Sequence, residues 1–484
     1  MSFQFSSLVT SSLLLVSSVA LAQGSEDYGP AYDRFSLTIA PGDRTEAAGP
    51  FYYREHKDTQ KIWAVPPIFS YTTDKETDYT EMDIAYPFIS YDRFGEQYRF
   101  HIFQLLSFAG GPTQDEKERD RFTLFPVFFL QRSSLAGERY MALVPLYGHL
   151  KNRLFRDEVF FVMMPFYVKS RKKDVVTYNM PYPFFHLRYG TGLTGWQFFP
   201  ITGHEHKDVT TQTNGFGDVS TVAGHEKFFV LWPFFFNEHT GIGTDNPVWQ
   251  QASLPSYTLT RSPLRDSTTV LWPFFTFVND REKKYREWEV PWPFLVFARG
   301  EGKTTTRFFP LFSRAHSAVL ESDFYLWPLY KYNRAHSDPL DRERTRILFF
   351  LYSDTKLKNT ETQQMQRRVD FWPFFTHQKD FKGNTRLQVL AVLEPYLPNS
   401  KSIERDYSQL WSFWRSEHNV ETGDRSQSLL WNLYRRQKSG KATGWSAFFG
   451  MFGSRTTPDV TEKRIFYFPI RHKTEPLPTL DSIK

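Results

Sequence analysis

One short phrase returns along this chain at a nearly fixed interval, and it limits the possible folds more than any other feature. Its clearest copies are Leu231-Trp232-Pro233-Phe234-Phe235, Leu271-Trp272-Pro273-Phe274-Phe275 and Phe371-Trp372-Pro373-Phe374-Phe375. Looser copies are Pro291-Trp292-Pro293-Phe294-Leu295 and Leu326-Trp327-Pro328-Leu329-Tyr330. Phe125-Pro126-Val127-Phe128, Val144-Pro145-Leu146-Tyr147 and Met164-Pro165-Phe166-Tyr167 precede them. The prolines at 126, 145, 165, 183 and 200 lie 19, 20, 18 and 17 residues apart, and those at 273, 293, 310 and 328 lie 20, 17 and 18 apart. A fixed spacing of this kind marks a repeat architecture. Arg314-Ala315-His316-Ser317 returns 20 residues later as Arg334-Ala335-His336-Ser337, as duplicated units would.

The apolar stretches are rich in Phe, Tyr, Val, Thr and Trp, which favour strands, and 30 prolines would break any long helix. An all-β chain is therefore expected, with no long helix after residue 23. From about Trp63 onward there is room for roughly 21 units, each holding one strand and one turn. Ser133 to Glu138, Ser170 to Asp174, Asn279 to Lys284, Arg299 to Thr306, Lys379 to Asn384 and Glu421 to Arg425 read as turns. Leu348-Phe349-Phe350-Leu351-Tyr352, Leu410-Trp411-Ser412-Phe413-Trp414 and Leu430-Trp431-Asn432-Leu433-Tyr434 read as units without proline. Three polar stretches, His204 to Lys227, Asn237 to Ser253 and Ser353 to Gln366, read as extended loops.

The middle of each unit is apolar on both faces. In Phe122 to Gln131, one face of an extended chain would carry Phe122, Leu124, Pro126, Phe128 and Leu130, and the other Thr123, Phe125, Val127, Phe129 and Gln131. A sheet with one wet face alternates cleanly. A band about ten residues long suits a transmembrane β-strand of ~9–11 residues, with Trp and Tyr as an interfacial girdle. Proline opposes this, because it cannot donate to a ladder and belongs at edges or bulges. Either each strand bends at a central proline, giving a barrel-like closed sheet of roughly 20 strands, or each unit is two short strands meeting at a corner. The second option suggests a propeller-like repeat.

Leu8 to Leu21 is apolar and ends in Ala20-Leu21-Ala22, a small-x-small pattern, so residues 1–22 are expected to be a secretory signal peptide cleaved before Gln23. Residues 23–60 carry less of the pattern and read as an N-terminal extension or plug, 61–470 as the repeat domain, and 471–484 as a loose tail. The absence of cysteine excludes disulfides, thiolate metal sites and a lipid-modified cysteine. A net charge of +6, from 59 basic and 53 acidic residues, is a small and scattered excess. It gives little support to a nucleic-acid partner and is compatible with an anionic membrane surface.

No catalytic motif stands out, and no enzyme activity or cofactor is expected. Gly190-Thr191-Gly192-Leu193-Thr194-Gly195 spells a nucleotide-loop pattern, but a strand-like stretch follows it where a phosphate site needs a helix, so a hairpin turn is expected. His204, His206 and His225 are the candidates for a divalent metal, set against solvated loop histidines as the plainer reading. His149, His186, His204, His239, His316, His336, His377 and His472 each follow a unit's proline by three to eight residues, as duplication alone would produce. The residues singled out as structural are Trp232, Pro233, Trp272, Pro273, Trp292, Pro293, Trp327, Pro328, Trp372 and Pro373. The five indoles are expected in equivalent, packed places near the middle of their strands.

With its apparent export signal, lack of cysteine, aromatic bands and ~19-residue period, the chain resembles bacterial outer-membrane β-barrel proteins over roughly residues 60–470. The resemblance implies an outer-membrane protein with a transport or structural role, in contact with membrane lipid or lipopolysaccharide. The alternative is a soluble periplasmic or secreted β-repeat protein binding a lipid, glycan or protein. A glycan-active enzyme is a third and weaker option, since no carboxylate pair stands out.

Overall fold

The computed structural model describes residues 27–112, 118–213 and 217–473. The expected signal peptide and residues 474–484 of the expected tail lie outside the described residues, whereas Arg471, His472 and Lys473, read as the start of that tail, end the last strand. The chain is all-β. Its main sheet has 43 strands, all antiparallel. Each strand pairs with its sequence neighbours, from Tyr32–Ser36 with Gly42–Ala47 and then Tyr52–Lys57 to Val460–Ile465 with Phe468–Lys473. Two insertions interrupt this meander. The strands Thr202–Lys207 and Gly224–Val230 pair with each other, and a separate hairpin, Thr210–Thr213 with Val219–Val222, lies between them in sequence. Thr385–Val389 pairs with Trp414–His418, and the segment between them holds two short helices, Lys401–Asp406 and Ser408–Trp411.

The prolines are in the turns, and this corrects the expected Pro-containing strand centres. Phe122 to Gln131 is a hairpin tip. Leu124 faces Phe128, Thr123 faces Phe129, and Phe122 faces Leu130 across a Phe125-Pro126-Val127 turn. A turn needs no N–H from its proline, so the residue that would break a ladder costs nothing there. Trp232-Pro233, Trp272-Pro273, Trp292-Pro293, Trp327-Pro328 and Trp372-Pro373 are all cis peptides in such turns. One period is therefore two strands, an apolar turn and a polar turn. Most strands have five or six residues, about 20 Å in length. The ladder has 43 strands where roughly 20 longer ones were expected.

Three further expectations change. Residues 32–57, read as part of an extension or plug, form the first three strands and join the fourth, Gln60–Val65, by regular pairing. The supposed loops Asn237 to Ser253 and Ser353 to Gln366 are mostly strand: Phe235–Ile242 pairs with Val248–Ser253, and Tyr352–Asn359 with Met365–Phe371. Their polarity reflects charged cross-strand pairs such as Arg367 with Asp354, whose side chains meet at 2.8 Å. Leu410 and Trp411, read as the start of a repeat unit, belong to the end of the helical insertion.

The two faces of the ladder differ. In Phe69–Asp74, Ser70, Thr72 and Asp74 are buried, while Phe69, Tyr71 and Thr73 alternate with them on the more exposed face. The same division recurs in Phe312–Ser317, where Ser313 is buried. Much of the buried face is thus small and polar. An apolar cluster sits on it at Tyr140, Ala142, Leu150, Val159, Phe161 and Val168. A propeller would divide the strands among separate blades, whereas this ladder is continuous. Among the described residues no backbone pairing joins the first strand to the last. The two ends meet through side chains instead.

Candidate functional site

Each turn reverses the chain, so alternate turns share an edge. The five Trp-Pro turns and the other apolar cis-proline turns share one edge and form an apolar rim, while Pro41, Pro247, Pro263 and Pro339 stand in turns on the opposite edge. Leu231, Trp232 and Phe234 are exposed there, as are Leu271, Trp272 and Phe274, Trp292 and Phe294, Leu326, Trp327 and Leu329, and Phe374. The five indoles are similarly placed, as expected of a repeat, but in half-exposed turns and not in packed strand centres. Trp372 is the most sheltered, held between Phe350 and Tyr396 with its Nε1 donating to the Val392 carbonyl at 3.2 Å. The opposite edge carries turns such as Arg281-Glu282-Lys283-Lys284 and Thr360-Glu361-Thr362-Gln363-Gln364. Leu154-Phe155 is an exception there, with Phe155 fully exposed.

The rim's backbone is paired along its length. The amide of Trp232 donates to the Pro200 carbonyl of the preceding apolar turn at 2.7 Å, Trp272 to Pro255 at 2.8 Å, Trp327 to Pro310 at 2.8 Å and Trp372 to Leu351 at 2.8 Å. Each turn also closes on itself, as where the Phe234 amide donates to Leu231 at 2.8 Å. An edge with paired amides can leave water without the several-kcal/mol cost of each orphaned group. Above the rim, aromatic rings run from strand to strand on the more exposed face. Phe100, Phe108, Phe122 and Phe128 form one such row, with centroids 6.2, 4.9 and 5.8 Å apart. Counting the turn and about three residues of each strand, the apolar zone is roughly 15 Å deep.

The second notable region is a clasp between the chain ends. The helix Lys401–Asp406, capped at its N-terminus by the Ser400 hydroxyl, lies against Gln60–Val65 and Phe69–Asp74. Its Arg405 is buried and bonds Thr72 at 3.1 Å, Glu81 at 2.9 Å, Asp406 at 3.2 Å and Asp83. Tyr53 donates to the Arg405 carbonyl at 3.0 Å. Next to this, Glu46 takes both Arg415 nitrogens at 2.8 Å and accepts from Asn432 at 2.6 Å. Arg435 lies over the Phe35 ring, its Cζ 3.3 Å from the centroid, and 3.6 Å from Asp33. Residues 27–86 are thus tied to residues 402–464.

One guanidinium serves three carboxylates around Arg405, and the titration of the three divides accordingly. Burial pushes the Asp83 carboxyl up to about 7, against the pull of Arg405, and raises Asp406 as well. Burial opposes ionisation of Glu81 too, but its hydrogen bond and charge pairing with Arg405 outweigh this and hold it below the usual range. Burial lifts Asp33 to about 7 despite Arg435. Glu46 is also disfavoured as an anion by burial, yet Arg415 and Arg44 together hold it well below its ordinary value.

The histidines do not converge. His204 and His206 lie two apart on one face of Thr202–Lys207, 3.6 Å from Glu226 and 3.1 Å from Asp208 respectively. His225 is paired opposite Lys207 and so lies on the other face, where it meets Glu205 at 2.7 Å. Each imidazole has its own carboxylate, and no metal-holding group of three occurs among the described residues. Gly190 to Gly195 is a tight hairpin turn, with Gly192 at φ 65. The clasp residues carried no motif in the sequence. The one available hint was the interruption of the period after Trp372, with Ser400 placed to cap a short helix.

Comparison of the sequence with protein-family models and with curated proteins found no match.

Proposed function

We propose that this is an exported cell-envelope protein that seats its aromatic rim in one leaflet of the outer membrane, as a structural or transport component and not as an enzyme. The rim carries this reading. It is an apolar edge that runs turn after turn up to the helical insertion, far longer than the isolated patches of a soluble monomer, and its backbone is already satisfied. Its depth of roughly 15 Å is half of a ~30 Å hydrocarbon core. The ten-residue bands that suggested spanning strands are folded double, so a monotopic seat fits better than a spanning barrel. The clasp would complete the ladder as a ring, joined by side chains where a barrel has a backbone seam. The partners in this reading are membrane lipid or lipopolysaccharide, with no role for nucleic acid.

The test is flotation of the purified mature chain with vesicles, followed by quenching of its tryptophans by lipids brominated along the acyl chain. Seating predicts co-flotation, resistance to carbonate washing, and strongest quenching by bromines near the headgroup end of the chain. A chain that stays with the soluble fraction and is not quenched would instead support the periplasmic or secreted binding protein.

A further inference from the structure

Where the chain ends meet, a cavity of about 290 Å³ is left between the strands near residues 35–57 and those of 366–435. Six basic side chains line it, Arg44, Lys57, Lys379, Arg386, Arg415 and Arg435, against three acidic ones, Glu55, Asp380 and Glu417. The pairing is uneven. Arg44 is held by Glu46 at 2.8 Å and Glu55 at 2.9 Å, yet its Nη2 is buried with no hydrogen-bond partner. Arg435 is 6% exposed, with Asp33 3.6 Å from its Nε as its one carboxylate among the described residues and a single long hydrogen bond, Nη2 to Gln437 at 3.3 Å. Arg386 reaches Glu404 and Glu417 only at 3.5 and 3.6 Å. Arg415 is fully committed to Glu46 and Gln409. Lys57 and Lys379 have no carboxylate within salt-bridge reach among the described residues, while Asp380 is occupied by Asn384 at 2.8 and 2.9 Å.

A buried guanidinium nitrogen without a hydrogen-bond partner, in a cavity also lined by two ammonium groups that no described carboxylate pairs, suits an anion. Arginine forks and lysine point charges together suit a phosphate dianion better than a single carboxylate. Phe35, Leu37, Ile39 and Ala40 form an apolar wall on one side, so the phosphate's substituent has a dry surface to lie on. We propose that this cavity binds a phosphate monoester bearing a small, partly apolar group, either a free metabolite or the headgroup of a phospholipid. This does not rest on the rim being seated in lipid.

The experiment is titration calorimetry on the full mature chain with glycerol 3-phosphate, glycerol as the uncharged control, and a soluble short-chain phosphatidic acid. Saturable binding of one phosphate compound per chain is expected, with no heat from glycerol. Lys57→Gln with Lys379→Gln should weaken that binding at least tenfold without moving the melting temperature, since both side chains are exposed. Lys172→Gln with Lys173→Gln removes the same charge on the same edge far along the ladder, and should leave binding unchanged. Tighter binding of the phosphatidic acid identifies the lipid source, and tighter binding of glycerol 3-phosphate the free one. No saturable heat from either compound overturns the proposal, as does equal weakening by the two double variants.

Discussion

The rim and the clasp place their side chains in opposite situations. The rim shows apolar rings to the outside and hides only backbone, which it has already paired. The clasp buries charge, and its stability depends on complete sets of partners. Rim residues other than Trp372 are accordingly replaceable one at a time, because each contributes mainly area. Clasp residues are not, because removing one leaves others buried and uncompensated.

The largest effect expected is at the rim as a whole. Replacing Trp232, Trp272, Trp292 and Trp327 together by Asp should abolish vesicle flotation while circular dichroism stays unchanged. Four charge reversals on the opposite edge, at Arg281, Lys283, Lys284 and Lys382, should leave flotation within a fewfold of wild type. Loss of structure in the first variant would show that the rim, like the clasp, holds the fold together.

A single substitution should suffice at the clasp. Arg405→Met leaves Glu81, Asp83 and Asp406 without their cation and should cost about 3–5 kcal/mol in urea unfolding. A shift below about 1 kcal/mol would mean that those carboxylates reach solvent. The clasp should also respond to pH. Asp33 and Asp83, raised to about 7 from 3.8, hold protons in the folded state that the unfolded chain releases. Their contribution is therefore greatest at low pH and declines as pH rises from about 4 to about 7. Glu46 is lowered and acts in the reverse direction, so its contribution is lost as pH falls below its unfolded value of 4.5. Melting temperature should rise from pH 8 to a maximum near pH 5, by an amount on the order of a few kcal/mol in stability. Asp33→Asn with Asp83→Asn should flatten that rise.

The smallest effects come from single rim rings in the absence of lipid. Trp272→Ala removes a half-exposed indole and should cost about 1–2 kcal/mol, below the ~3–5 of a fully buried ring. Trp372→Ala should cost more, because that indole is packed and hydrogen-bonded. Equal urea midpoints for the two would remove the distinction.

Period, strand character and the special status of Trp-Pro were legible in the sequence, because repetition displays the same local chemistry many times. Chain direction was not. Phe122 to Gln131 reads alike as one strand of ten or as a hairpin tip, since both place apolar residues next to one another; only the proline favoured the turn. Counting one strand per unit where there are two followed from that ambiguity, and so did the reading of the bands as tall enough to cross a bilayer. The polar strands near Asn237 and Ser353 were missed because their partners are charges on adjacent strands, which leave no apolar period. The clasp was beyond reach for another reason. Arg405 and Asp83 are 322 residues apart, and a single copy of each has nothing in the sequence to mark it.

Pairing only between sequence neighbours has a consequence for how such a chain can change over generations. A hairpin copied or lost in tandem slides into the ladder without disturbing any distant strand, much as a bead is added to a string. The paired Arg-Ala-His-Ser stretches, at equivalent places in Phe312–Ser317 and Tyr330–Ser337, look like the trace of one such event. The hairpin count is then free to drift until the two ends have to find each other. The clasp sets that limit: it accepts only a ladder long enough to bring Arg405 back to Asp83.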